Sequence, residues 1–418
     1  MNSNLYILFY VFLWVLTFLI YQKRRKYVGA SSIILLSYII YAISSVLLYN
    51  SPLYNAYYGE LKFWPFIYLY LLLLIANLPA LKFYEERIKL QKPSLLLINI
   101  FSIVYIISAL FRIPDIFANI RQGIFLLLMD SSGGEDLYYS THDIVRSNIG
   151  GISNIFAIIY NIFTDVAILI FFYYITLPKK NKYILLGYFI AIFVSVLSPL
   201  SQGLRTGVIM LSFNIIIAYF LFKPLMSDRI KKYVTLIGSI VACFIAVLLI
   251  SLTISRFANR TEGAGGSTLS YIGQANLNFD VNALNAGGTR NGDRTCNTFK
   301  QLLGFDNIPQ NIEETRIRYA HMKLDDSRFS TLVGDFVLDF GPILTVLLFC
   351  LFSTIVCFKT KARKQTLKFH QLILIYFSMI IPMQGGMYLF YYSYGGNLVI
   401  LAFAFTYFLF KFDFKYTR

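Results

Sequence analysis

Eleven long apolar runs constrain the fold of this chain more than any other feature of its sequence. A helix needs about 20 predominantly apolar residues to cross a bilayer, and runs of roughly that length recur along the whole chain. They lie at 5–22, 28–49, 63–81, 93–112, 150–176, 183–200, 207–222, 233–254, 337–358, 370–389 and 396–410. We therefore predict an all-α, polytopic membrane protein with about eleven transmembrane helices. The stretch 183–222 also fits one long, broken helix.

The composition excludes a water-soluble fold of this size. Hydrophobic residues make up 57% of the 418 residues and charged residues 14%, so a soluble domain could not cover its surface with polar groups. Disorder, a cytosolic enzyme and a secreted disulfide scaffold are excluded together. The four cysteines form neither a disulfide framework nor a zinc-binding spacing.

The distribution of basic residues predicts the topology. The net charge of +16 would suggest a nucleic-acid partner, but the placement of the charges argues against one. When the runs are threaded alternately across the membrane, 23 of the 37 basic residues fall on short connections on one side. The short connections on the other side carry Lys62 and Arg205. The positive-inside rule then predicts an N-terminus on the outer side and a C-terminus on the inner side.

Two connections on the predicted outer side are long. Residues 113–149 begin with an apolar helical stripe, which predicts a helix in the headgroup plane or one that caps the bundle. Residues 255–336 are too rich in Gly, Asn and charge for an independent core, so we expect them to fold onto the membrane helices. The predicted organisation is helices 1–8 in 1–254, a large outer loop at 255–336 and helices 9–11 in 337–418.

Arginine predominates among the basic residues of the large loop. Arginine presents a planar fork to phosphate and stays charged in every environment, whereas a solvated charged face is the alternative for each single residue. The loop carries Lys300 and Lys323 and seven arginines, which are Arg256, Arg260, Arg290, Arg294, Arg316, Arg318 and Arg328.

Arg205 is the most informative single residue. It lies between two apolar runs at the predicted outer end of a helix pair, where a charge near the bilayer is costly without an anionic partner. Gly203 and Gly207 flank it and would let a bulky headgroup approach the backbone. Snorkelling to the interface, or pairing with an acid, is the alternative.

Three features resemble the Wzy-type oligosaccharide repeat-unit polymerases, which are related to the O-antigen ligases. They are the ten or more spans with one large outer loop, the segment 201–206 around Arg205, and the segment 329–341 that leads the large loop back into a span. Ligases place a His followed by Asn just before the comparable segment, but here Ser327, Arg328 and Phe329 occupy that place. This departure favours a polymerase over a ligase.

The resemblance implies a GT-C-like membrane glycosyltransferase of the bacterial inner membrane. Its reaction would transfer an undecaprenyl-pyrophosphate-linked glycan onto the non-reducing-end sugar of another lipid-linked repeat unit, in O-antigen or capsule synthesis. Its partners would be these lipid-linked oligosaccharides and the bilayer, with a chain-length regulator and a flippase as associated proteins.

That chemistry needs cations for the departing pyrophosphate, a base for the acceptor hydroxyl and contacts for sugars. Arg205 is the first candidate cation. The other candidate residues for the anion are Arg256, Arg316, Arg318 and Arg328. The candidate bases are His321 and Asp335, with Asp339, His142 and Asp143 as further choices. The candidate sugar contacts are Tyr271, Gln274, Asn276 and Asn278. Each of these acids and histidines also fits a structural or solvated role.

Two other readings remain open. A ligase would use the same donor, and a flippase or transporter would place charges within its spans, where Asp165 lies. The sequence has no metal-ligand cluster and no Walker or dinucleotide motif, so we expect no metal and no cofactor.

Overall fold

The computed structural model describes residues 3–129, 152–201, 204–257, 263–310, 312–323, 328–360 and 366–412. Within these ranges the chain forms fifteen α-helices and one short two-stranded sheet. The helices are α1 Ser3–Arg25, α2 Ala30–Tyr49, α3 Asn55–Tyr58, α4 Phe63–Lys82, α5 Leu95–Met129, α6 Ile152–Thr176, α7 Lys182–Ser201, α8 Arg205–Phe222, α9 Asp228–Arg256, α10 Gly263–Asn278, α11 Asn297–Leu302, α12 Ile312–Arg318, α13 Thr331–Thr360, α14 Phe369–Gly385 and α15 Ser393–Phe412. The strands β1 Lys89–Leu90 and β2 Thr366–Leu367 pair with each other.

The prediction of an all-α, multi-pass membrane protein is confirmed. In the described ranges, ten helices are long and apolar enough to cross a bilayer. The predicted span 370–389 is the exception, because α14 ends at Gly385 after 17 residues. A helix of that length rises about 25 Å, which is less than the roughly 30 Å hydrocarbon core. The stretch 183–222 forms two helices, α7 and α8.

The first outer segment begins as a continuation of a span. Helix α5 runs through Pro114 to Met129, so the predicted apolar stripe is helical and continuous with the fourth span. Residues 130–149, which include the candidates His142 and Asp143, lie outside the described residues.

The chain divides into two compact units. One unit comprises Met1–Lys89 with Leu269–Tyr407, and the other comprises Leu90–Thr268 with Phe408–Arg418. Most of the predicted large loop therefore belongs to the same unit as the N-terminal helices. The reason is direct packing on α2, since Ser45 donates to the Gly273 carbonyl at 2.7 Å and accepts from Asn276 at 3.0 Å.

Gly273 allows α10 to approach α2 closely. A Cβ atom at this position would lie 2.5 Å from the backbone oxygen of Ser44, so a larger side chain would separate the two helices. Small residues permit the same close approach between transmembrane helices. The contact is completed by Tyr10 of α1, whose hydroxyl donates to the Asn276 side chain at 3.2 Å.

The second unit is built around a polar network between apolar helices. Tyr105 of α5 stacks on Tyr160 of α6 at 5.4 Å between ring centroids, and the Tyr160 hydroxyl lies 2.5 Å from Ser195 of α7. Asp165, the acid noted within a predicted span, accepts a hydrogen bond of 2.6 Å from Asn214 of α8. Hydrogen bonds of this kind satisfy polar groups that apolar surroundings would otherwise penalise.

Candidate functional site

A break in helix α13 organises the candidate site, which lies in the first unit. Gly341 has φ 77° and ψ 167°, and Pro342 follows it. Proline has no N–H to donate to the carbonyl four residues earlier, which is that of Leu338. That carbonyl instead accepts the backbone N–H of Arg290 at 2.8 Å, and the Asp339 carbonyl accepts the N–H of Gly292 at 3.2 Å. The helix break thus holds residues 290–292 of the large loop against α13.

Arg290 and Asp339 form a buried ion pair at this contact. The Arg290 Nε donates to Asp339 Oδ1 at 2.6 Å, and the Thr295 backbone N–H donates to Asp339 Oδ2 at 2.6 Å. The side chains are 1% and 0% exposed. Both carboxylate oxygens have donors, so the charge is compensated and the pair holds the loop in place. Asp339, a further candidate base from the sequence, therefore has a structural role here.

Asp335 lies one helical turn before Asp339 and is held less tightly. Its Oδ2 accepts the Leu389 backbone N–H at 2.7 Å, while its Oδ1 lies 4.0 Å from Arg294 Nη1. The Arg294 side chain is 23% exposed, so this second ion pair is open to ligands on the arginine side. Of the two acids, Asp335 has the longer contact with its cation, so it is the better candidate for proton transfer.

The Arg294 guanidinium also lies over an aromatic ring. Its Cζ is 4.3 Å from the ring centroid of Tyr392, a cation–π contact. Burial alone would lower the pKa of Arg294, but the negative charge of Asp335 and the neighbouring Tyr392 raise it. The guanidinium is therefore a fixed, permanently charged group with part of its surface exposed.

Four aromatic residues extend from this cation, and we call them the aromatic row: Tyr392, Tyr388, Phe329 and Tyr271. Tyr388 lies 6.1 Å from Tyr392 and stacks on Phe329 at 4.6 Å with an interplanar angle of 19°. Tyr271 meets Phe329 edge-on at 4.9 Å. Tyr271, Phe329 and Tyr392 are part-exposed, whereas burial raises the pKa of Tyr388. The row offers successive aromatic faces beside Arg294.

A second cluster fixes the loop that carries Arg294. Asp293 forms ion pairs with Lys300 and with Arg318, the latter at 3.3 Å, and its Oδ2 lies 2.6 Å from the Tyr319 hydroxyl. Burial, together with the charge of Asp293, raises the pKa of Tyr319. Arg318, a predicted ligand for an anion, thus serves mainly to hold the loop.

The remaining residues predicted for the first unit lie in different surroundings. Arg328 lies over Tyr57, with Cζ 3.6 Å from the ring centroid, and donates to the Tyr58 hydroxyl at 3.2 Å. Arg316 and His321 are exposed residues, Arg316 on α12 and His321 just after it. Of the predicted residues, Asp335 and Tyr271 are connected, through Arg294 and the aromatic row.

Arg205 and Arg256 belong to the second unit. Arg205 is the first residue of α8, and its Nη1 donates to the Thr253 hydroxyl at 2.9 Å. Its guanidinium carbon lies 4.7 Å from the ring centroid of Phe257. Arg256 is the last residue of α9, the helix that carries Thr253. Arg260 and the residue before Arg328, Ser327, lie outside the described residues.

Arg290 and Arg294 belong to the loop arginines in the sequence, but neither is among the predicted site residues. A usable signal was present, because Asp335 and Asp339 are four residues apart and lie on one face of a helix. The two arginines are also four residues apart, although their segment is not an α-helix. An acid pair at helical spacing in an apolar segment requires a matching pair of cations.

The described part of the chain contains no group of three or more His, Cys, Asp or Glu side chains placed to hold a metal ion. Comparison of the chain with known protein families, with curated proteins and with solved structures gives no match. The residues of the site are therefore the basis for its proposed chemistry.

Proposed function

We propose that this protein is a membrane glycosyltransferase that polymerises lipid-linked oligosaccharide repeat units. It would transfer an undecaprenyl-pyrophosphate-linked glycan onto the non-reducing-end sugar of a second lipid-linked unit, at the outer face of a bacterial inner membrane. The N-terminus would be periplasmic and the C-terminus cytoplasmic. Support comes from the ten apolar helices among the described residues and from the motif resemblance at 201–206 and 329–341.

The observation that carries the proposal is a part-exposed arginine with a buried acid on one side and the aromatic row on the other. Arg294 lies 4.0 Å from Asp335 and 4.3 Å from the Tyr392 ring centroid. A fixed cation stabilises charge that develops on a departing phosphate. Aromatic faces with a few polar groups provide contact area for a large amphipathic ligand such as a glycan.

The proposed step forms one bond and breaks one bond. The acceptor hydroxyl oxygen attacks the anomeric carbon of the donor glycan and loses its proton to Asp335 Oδ1. The bond between that carbon and the pyrophosphate oxygen breaks, and its electron pair leaves with the lipid pyrophosphate. Arg294 stabilises the charge on the leaving group. Arg205 stays a separate prediction from the sequence, which its own substitution tests.

Purified protein in liposomes with a lipid-linked repeat unit tests the proposal. We expect a ladder of longer glycans without added nucleotide or divalent metal. Arg294→Ala, Asp335→Asn and Arg205→Ala should each abolish the ladder while the protein still elutes as a single folded species. Lys323→Ala, which removes an exposed positive charge from the same loop, is the matched control and should retain the ladder.

The assay also separates the alternatives. Transfer onto a lipid A core acceptor, without a ladder, would assign a ligase in place of a polymerase. The flippase alternative rests on Asp165, an acid within a span of the second unit that accepts a hydrogen bond from Asn214. Translocation of the lipid-linked unit that Asp165→Asn abolishes, with no chain growth in the unmodified protein, would favour a flippase.

A further inference from the structure

An apolar turn projects from the large loop just after helix α11. Leu302, Leu303 and Phe305 are 69%, 76% and 57% exposed, although they are consecutive apolar residues around Gly304. Ile308, three residues further on, is buried. The loop therefore buries one of its apolar side chains and presents the other three outward. We call residues 302–305 the apolar turn.

Two backbone hydrogen bonds define the conformation of the turn. Gly304 has φ 79° and donates to the Gln301 carbonyl at 3.0 Å, while Phe305 donates to the Lys300 carbonyl at 3.0 Å. These two bonds form the Schellman motif, a defined way for a helix to end. The exposed position of Leu303 and Phe305 is thus set by the backbone and does not result from a loose loop.

The short helix that precedes the turn contacts the N-terminal end of α15. Thr298 donates its N–H to Asn397 Oδ1 at 3.1 Å, and Asn397 Nδ2 donates to the Thr295 carbonyl at 2.8 Å. Asn397 belongs to Gly395–Phe412, a helix segment apolar enough to span a bilayer. The six residues of α11 advance by about 9 Å, so the turn remains within reach of the bilayer surface at this end of α15.

Basic residues accompany the turn. Lys300 precedes it in α11, and Arg318 binds the Asn307 carbonyl just after it; both side chains also form ion pairs with Asp293. Apolar side chains next to lysine and arginine are typical of segments that lie in the membrane interface. We propose that the apolar turn inserts into the lipid leaflet at this end of α15 and thereby fixes the neighbouring loop, with Arg294, at the membrane surface.

Tryptophan quenching by brominated lipid tests the insertion. Leu303→Trp, in a Trp64→Phe background that removes an exposed tryptophan, places a reporter on the turn, and Trp14 is buried and common to all variants. We expect blue-shifted emission and at least twofold stronger quenching in nanodiscs with bromine on the acyl chains than for Lys323→Trp in the same background. Phe305→Trp repeats the measurement at a second position.

Three outcomes would overturn the proposal. Quenching at residues 303 and 305 that does not exceed that at 323 would place the turn in water. Blue-shifted emission without bromine quenching would show that protein, and not lipid, covers the turn. Quenching that appears only after a lipid-linked oligosaccharide is added would assign the turn to the lipid tail of the substrate. The measurement needs no enzymatic activity, so it stands apart from the proposed function.

Discussion

Breaking the buried ion pair between Arg290 and Asp339 should destabilise the first unit strongly. Arg290→Met keeps much of the side-chain volume but removes the charge, and it leaves Asp339 at 0% exposure with only the Thr295 N–H as a donor. Removing one partner of a buried pair costs about 3–5 kcal/mol, because the other charge stays buried without compensation. We expect a loss of free energy of unfolding in this range.

The companion variants distinguish the ion pair from simple packing. Asp339→Asn should also destabilise the protein, because it leaves the Arg290 charge buried. The double variant should lose less than the sum of the single losses, by about 1–3 kcal/mol, since the two side chains interact directly. Lys323→Met, which removes an exposed charge from the same loop, is the control and should change the free energy by less than about 0.5 kcal/mol.

The assay is an unfolding titration with SDS in mild detergent micelles, followed by near-UV circular dichroism. The protein is rich in buried tyrosine and phenylalanine, so loss of tertiary packing changes this signal. An Arg290→Met variant within 1 kcal/mol of the unmodified protein would refute the reasoning. So would a double variant whose loss equals the sum of the two single losses.

Two further predictions concern a backbone position and a titrating acid. Gly341→Ala should cost about 1–3 kcal/mol in the same titration, because φ 77° and ψ 167° form a region that essentially only glycine adopts. The control is Gly238→Ala in helix α9, where a Cβ meets no atom within 4 Å, and it should be neutral or stabilising. Equal costs at the two positions would contradict the argument. Burial raises the pKa of Asp280 to about 6, so its protonated form stabilises the fold below about pH 4 and this stabilisation is lost as the pH rises through 6. Asp280→Asn keeps an oxygen for the Lys62 N–H, which donates to Asp280 at 2.9 Å. This variant should flatten the dependence of stability on pH between 4 and 6.5. An unchanged slope would exclude Asp280 as the source of the pH dependence.

Much of the helical architecture could be predicted from the sequence. Every apolar run contains a helix of the structure, because about 20 apolar residues in sequence suit no other structure in lipid. The end of α14 could not be placed this way. Residues 386–392 remain apolar and aromatic after the helix ends at Gly385, so composition gives no boundary there. The Leu389 N–H instead binds Asp335, a contact that only the folded chain reveals.

The candidate site was predicted only in part for a similar reason. Asp335 and Tyr271 were selected because of their types and their place in the chain, but the cation beside Asp335 lies 41 residues before it. No local sequence pattern connects Arg294 with Asp335. The link depends on Pro342, which leaves a carbonyl without its helical donor, and on Arg290, whose N–H takes that place. Non-local pairing of this kind has no signature in apolar periodicity.

Arg290 and Arg294 have different roles in the site, the first in stability and the second in the proposed reaction. Arg290 is 1% exposed and lies 2.6 Å from its acid, whereas Arg294 is part-exposed and lies 4.0 Å from its own. A bidentate or close pair is already satisfied and gains little from a ligand anion, while a longer, part-exposed pair retains attraction for one. Substitution at 290 should therefore cost more stability than substitution at 294, and substitution at 294 should abolish activity. An Arg294→Ala variant as unstable as Arg290→Met would show that both arginines are structural, and the anion site would then have to be sought elsewhere.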